Sequence, residues 1–211
     1  MHGLIDCLRS FNSKERFFLL GQVLGNPDFT PSSSFREELG RVLGLHIPED
    51  SLSAMDYHLD WIYASLKLAA EGHRATHIHS NAEGIIKAQQ EDVDYLLAYD
   101  SGDDTHLLLI EAKAVTGWTN KQMASKVARL VQIFGNDGRI WPGVIPHLVI
   151  MSPRQPRGLK TDAWPQWIAP NGEIPWLRLS VPAGLKAVSR FDAQGKRDAN
   201  GLHWKVSARR Y

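Results

Sequence analysis

Residues 91–113 read EDVDYLLAYDSGDDTHLLLIEAK, and the organisation of the chain can be worked outward from them. Asp94-Tyr-Leu-Leu-Ala-Tyr99 has the length and the aromatic, apolar character of a strand, led by an acid. Asp100-Ser-Gly-Asp-Asp104 is a cluster of turn formers. Thr105 to Lys113 then resumes as a second strand, and its four consecutive apolar residues (Leu107 to Ile110) suggest burial on both faces. Two strands and a short turn predict a hairpin. The start of the first strand then lies opposite the end of the second, so Asp94 is expected beside Glu111 although 16 residues separate them. Strand side chains alternate faces, so Glu111 and Lys113 project on one side, about 7 Å apart.

Downstream, Thr119-Asn-Lys-Gln122 forms a capping box. It opens a helix whose Met123, Val127, Leu130, Val131 and Phe134 face one way, and Gly135 stops it. Pro146 to Met151 is a further buried strand. Strand, helix, strand over 105–151 is a crossover unit, which makes two of these strands parallel and adjacent. Upstream, the first 70 residues read as helical. A helix over 13–24 ends near Gly25, and a second starts at Ser34 with the capping box Ser34-x-x-Glu37 and the apolar positions Phe35, Leu39, Val42 and Leu43. A third is expected over about 51–70, with Met55, Leu59, Ile62 and Leu66 as its stripe. Residues 76–99 suggest one or two strands. After Ser152 the chain becomes rich in Pro and Trp, with hairpin strands near 186–191 and 202–207.

The expectation is an α/β fold with a mixed central β-sheet flanked by helices, a helical N-terminal region and a β-rich C-terminal extension. Residues 1–211 are read as one domain, with its core at about 34–151 and a basic, Trp/Pro-rich extension at 152–211. Sixty residues alone would make a marginal domain.

Composition narrows the function classes. The hydrophobic share is 43% and the charged share 22%, ordinary for a globular chain. No apolar run reaches the roughly 18 residues of a membrane span. Asp6 and Arg9 interrupt the short apolar stretch at the N-terminus, which lacks a signal-peptide shape. Cys7 is the single cysteine, so an internal disulfide and a thiolate zinc cluster are excluded, and a cytoplasmic location is expected. The net charge of +1 hides an asymmetry. Residues 1–150 hold 13 Lys/Arg against 19 Asp/Glu, and residues 151–211 hold 11 against 4. A basic C-terminal third suits a polyanion, because neutralising phosphates releases counterions. It also reads as a solvated face with a basic tail.

Two carboxylates and an ammonium converging at a sheet end suit phosphodiester hydrolysis. Paired carboxylates hold a hard cation such as Mg²⁺ and leave sites for water and phosphate oxygen. A bound cation acidifies water, and a nearby Lys can orient that water and offset developing charge.

The pattern resembles the PD-(D/E)XK nuclease superfamily, the restriction-endonuclease-like fold. That core is a helix, three strands, a helix and another strand, with an Asp on the second strand and (Asp/Glu)-x-Lys on the third. Asp94 matches the first element and Glu111-Ala112-Lys113 the second, while Val93 stands in place of the nominal Pro. The element order over 34–151 agrees. The resemblance implies an Mg²⁺ (or Mn²⁺) enzyme cutting nucleic acid, with DNA expected. Asp94 and Glu111 would hold the metal and Lys113 would position water. It also implies a Glu from the first core helix, for which Glu38 is the candidate, and a helix glutamine, for which Gln122 is the candidate. Glu38 also reads as a helix-flank carboxylate, and Gln122 as a cap. Asp92 is a rival to Asp94. Lys121, Arg190, Lys196, Arg197 and Lys205 are the expected nucleic-acid contacts, and a homodimer would supply two sites for two strands. His73, His77 and His79 lack partners for a zinc set and read as ordinary strand histidines. The rival classes are a catalytically silent module of the same fold that binds nucleic acid or protein, and a metal-dependent hydrolase of another substrate.

Overall fold

A computed structural model describes residues 3–11, 14–72, 78–88, 91–114 and 116–208. The helices are α1 (Leu4–Ser10), α2 (Glu15–Leu24), α3 (Ser33–Leu43), α4 (Leu59–Glu71) and α5 (Asn120–Phe134). The strands are β1 (Leu52–His58), β2 (Asp92–Ser101), β3 (Asp104–Ala112), β4 (Val144–Ser152), β5 (Trp176–Arg178), β6 (Lys186–Phe191) and β7 (His203–Ala208). A five-stranded sheet runs β1-β2-β3-β4-β5, and β6-β7 form a separate two-stranded sheet. β1, β2 and β3 pair antiparallel; β4 joins β3, and β5 joins β4, in parallel. This is the mixed sheet flanked by helices that the hydrophobic pattern predicts.

Alternation along the central strands divides the core. Leu96 and Ala98 of β2, Leu107 and Leu109 of β3, and Leu148 and Ile150 of β4 pack with α1, α4 and α5 on one face. Leu97, Tyr99, Leu108, Ile110 and Val149 pack with Phe35, Leu39 and Leu43 of α3 on the other. The α5 stripe is buried as expected, at Met123, Val127, Leu130 and Phe134. Each such side chain contributes on the order of 1.5–3 kcal/mol. Ile168 and Ile174 of the C-terminal extension are buried in the α5 side of the core, with Trp164, Trp167 and Trp176 packed against it.

The expected helix over 51–70 is corrected. Residues 52–58 form β1 against β2, and α4 begins only at Leu59. Strand alternation is hidden there by Asp56, which adopts φ 50° and breaks the ladder between Met55↔Tyr95 and Tyr57↔Val93. Ala54 and Tyr57 consequently enter the same core although three positions apart. That spacing imitates a helix. The cap of α3 is also corrected: Ser32, not Ser34, accepts from Phe35 N–H, so Glu37 closes no capping box with Ser34. Only β2 forms in the described part of 76–99, where residues 81–86 instead make an Asn81-capped turn.

Candidate metal and phosphate site

The hairpin places the acids together. The β2–β3 ladder runs as far as Tyr95↔Ile110, and just past it Asp94 comes near enough to Glu111 for its charge to raise the Glu111 pKa. Asp94 Oδ2 accepts a hydrogen bond from Ala112 N–H at 2.6 Å, fixing the carboxylate at the end of β3. Glu111 continues the Leu107–Leu109 row onto the α5 face, where it is only 9% exposed. Its Oε1 lies 2.8 Å from Lys126 Nζ on α5, an ion pair without an aligned hydrogen bond. Burial pushes the Glu111 carboxyl upward in pKa; Lys126 opposes this, Asp94 adds to it, and Lys113 opposes it. Desolvation is the largest cause, and the lysines are what keep a buried carboxylate tolerable.

Lys113 follows directly on β3, and its N–H donates to Met151 O at 2.8 Å, so the parallel ladder with β4 extends to it. Its Nζ stands 5.9 Å from the Trp118 ring centroid, within range of a cation–π contact. Glu91, Glu111, Lys113, Trp118, Gln122 and Lys126 line a cleft of about 290 Å³, and Asp94 is not among its lining residues. Gln122 takes the cap role with side chain as well as backbone, its Oε1 accepting from the Thr119 hydroxyl at 3.1 Å. Its backbone N–H is capped by Thr119 Oγ1 at 3.3 Å, and the residue is one of those lining the cleft.

Asp92 sits beside this site in a network of its own. Its Oδ1 is 3.0 Å from His58 Nδ1, and Oδ2 is paired with Lys14. Lys126 Nζ also donates to the Asp92 carbonyl, which links the two clusters. Lys126 does not stand out in the sequence pattern, yet it lies one helical turn after Gln122. Positions i and i+4 of a helix share a face, so the spacing is a readable signal.

Glu38 is placed elsewhere. α3 covers the opposite face of the sheet, and Glu38 is exposed on it, so the sheet lies between it and Glu111. Lys121 is exposed on the first turn of α5 and does not line the cleft. Arg190, Lys196, Arg197 and Lys205 all belong to the β6–β7 hairpin or its connection. Arg190 Nε donates to Gly201 O at 2.8 Å and Arg197 Nη2 to Ser189 Oγ at 2.7 Å, so both guanidiniums brace the hairpin itself. His79 pairs with Glu71 at 3.1 Å, while His73 and His77 lie outside the described residues.

The donor chemistry suits a hard cation. Among the described residues Asp94 hydrogen-bonds through Oδ2, and Glu111 Oε1 is paired with Lys126. Two carboxylates with water and phosphate oxygens are a usual Mg²⁺ set. Among the described residues no group of three or more His, Cys, Asp and Glu forms a protein-only cage.

No family model, curated protein or solved structure matches this chain. Among the described residues no helix is long and apolar enough to cross a membrane.

Proposed function

We propose that this protein is a metal-dependent nuclease of the PD-(D/E)XK kind, hydrolysing phosphodiester bonds in DNA, in the reducing cytoplasm that its single cysteine suits. The observation that carries the reading is Asp94 close to Glu111 beyond the last pair of the β2–β3 hairpin, with Lys113 two residues on. The element order is close to the PD-(D/E)XK core, with one departure: α3, β1, β2, β3, α5 and the parallel β4 follow in turn, but α4 is inserted between β1 and β2.

Asp94 and Glu111 would hold Mg²⁺ or Mn²⁺, which when bound polarises the phosphate and acidifies a coordinated water. The Ala112 N–H holds Asp94 Oδ2 at the end of β3. Lys126 opposes the burial that raises the Glu111 pKa. Lys113 Nζ, supported on the Trp118 face, orients the attacking water and offsets charge on the phosphate oxygens. A dimer would give one such site to each strand.

One observation favours the second reading, a silent module that binds nucleic acid. Lys126 already neutralises Glu111, as a purely structural ion pair would. Incubating plasmid DNA with the protein in Mg²⁺ and in Mn²⁺, beside a metal titration of wild type and Glu111→Ala, separates the two. Nicking or linearisation with metal binding lost in the variant supports the nuclease. Binding without cleavage of DNA or RNA under either metal leaves the module.

A further inference from the structure

A second concavity, about 280 Å³, opens on the other side of Lys113 and Trp118 from the carboxylate cleft. It lies where β3 and the parallel β4 end together, since Ala112 pairs Met151 and the chain leaves at Lys113 and Pro153. The carboxyl ends of parallel strands are a common place for ligands. Its wall is held by one hydroxyl. Ser152 Oγ accepts from Trp118 Nε1 at 3.2 Å and from Trp176 Nε1 at 3.1 Å, and donates to Arg154 O at 2.8 Å. Ser152 is 5% exposed, so this three-way junction is buried and satisfied. It ties the Trp118 indole to the backbone of the Ser152-Pro-Arg-Gln-Pro-Arg157 segment, whose two prolines restrict it further.

Three cations face this pocket, Lys113, Arg154 and Arg157, and no carboxylate lines it among the described residues. Both arginines are exposed, and among those same residues neither side chain makes an ion pair or hydrogen bond. Arg16, Arg36 and Arg129 are each matched to an acid, whereas Arg41, Arg139 and Arg178 are, like Arg154 and Arg157, in no ion pair among the described residues. A rigid segment that presents unmatched guanidiniums beside a catalytic-type lysine is built to take phosphate oxygens.

We propose that Arg154 and Arg157 bind the phosphates of a polynucleotide strand next to the one held at Lys113, so that Trp118 and Lys113 divide a metal side from an anion side of one continuous groove. This rests on the nuclease reading for its strand, but it concerns binding and can be tested without cleavage. Arg154 and Arg157 are then positioning residues.

The test uses the full chain with EDTA present and a short fluorescein-labelled DNA duplex, read by anisotropy across a salt series. Arg154→Ala/Arg157→Ala should raise Kd by about tenfold or more, and should flatten the log Kd against log salt slope by up to about two. Melting temperature and Mn²⁺ titration should stay at wild-type values. Arg154→Lys/Arg157→Lys should restore most of the salt slope. Wild-type affinity and slope in the alanine double variant would overturn the proposal. Inorganic phosphate binding as tightly as the duplex would also overturn it, by making this a small-anion pocket. If the wild type binds through these arginines yet cleaves nothing under Mg²⁺ or Mn²⁺, the proposal stands and the nuclease reading falls. If the wild type cleaves while the double variant keeps both its affinity and its KM, the nuclease reading stands and this proposal falls.

Discussion

At one end of the β2–β3–β4 triplet the molecule buries charge, and at the other it buries groups that must stay neutral. The first end holds Glu111 against Lys126, with Asp94 tied to the Ala112 N–H. The second stacks Tyr99, His106 and His147 across the three strands, with ring planes within 9° of parallel and His106 Nδ1 3.0 Å from His147 Nε2. That contact needs one ring to donate and the other to accept, so two imidazolium ions cannot share it. Burial, then the neighbouring His106, lowers the His147 pKa to about 4. Burial lowers His106 too, against the pull of Asp104. The same desolvation is met by charge pairing at one end and by proton exclusion at the other.

The largest effect expected from breaking this contrast is at the charged end. Lys126→Met strands Glu111 as a buried, unpaired carboxylate and should cost about 3–5 kcal/mol by chemical denaturation. Glu111→Gln/Lys126→Met removes both charges and should recover a large part of that loss. Two single variants whose costs add in the double would show that the pair is not coupled.

At the neutral end the lever is pH. A folded-state pKa of His147 near 4, below the unfolded value of about 6.5, means that the unfolded chain takes up its proton first. The stability it contributes is complete above pH ~6.5 and declines as pH falls toward ~4, by on the order of 2–3 kcal/mol. His147→Phe should flatten the difference in unfolding free energy between neutral and mildly acidic buffer. A variant as acid-sensitive as wild type would remove the histidine stack as its cause.

The smallest effect lies outside the sheet. β6–β7 is exposed along all of β7, including Trp204, and among the described residues Lys186, Lys196 and Lys205 make no ion pair. If the hairpin touches a nucleic-acid backbone, alanine at these three lysines should weaken binding evenly across sequences. It should also reduce the salt slope by at most about one for each phosphate left without its lysine. Arg190→Ala should instead loosen the hairpin, because its guanidinium holds Gly201 O and Asn200 O. An unchanged salt slope in the lysine variant would leave the hairpin as a solvated surface.

What is legible in the sequence follows from how local its cause is. The β2–β3 hairpin, the capped α5 helix and the parallel β4 are each written in contiguous residues, and the hairpin brings Asp94 near Glu111. β1 is not readable, because the unusual backbone at Asp56 destroys the alternation that marks a strand. The side of the sheet that α3 covers is equally hidden. Local pattern shows that Leu39 is buried but not against which face, and Glu38 is misplaced for that reason. β5 pairs with β4 through only three residues, too short a run to carry a periodicity. Lys126 is a long-range partner of Glu111, visible only through its helical spacing from Gln122.

Single-turnover cleavage of duplex DNA in Mg²⁺, compared between wild type and Lys113→Ala with a parallel metal titration, tests the central claim most directly. The nuclease mechanism predicts a wild-type rate that requires the metal and a variant that keeps metal binding yet cuts about 10²-fold or more slowly. Equal rates in the two proteins, or no metal-dependent cleavage by the wild type, would contradict it.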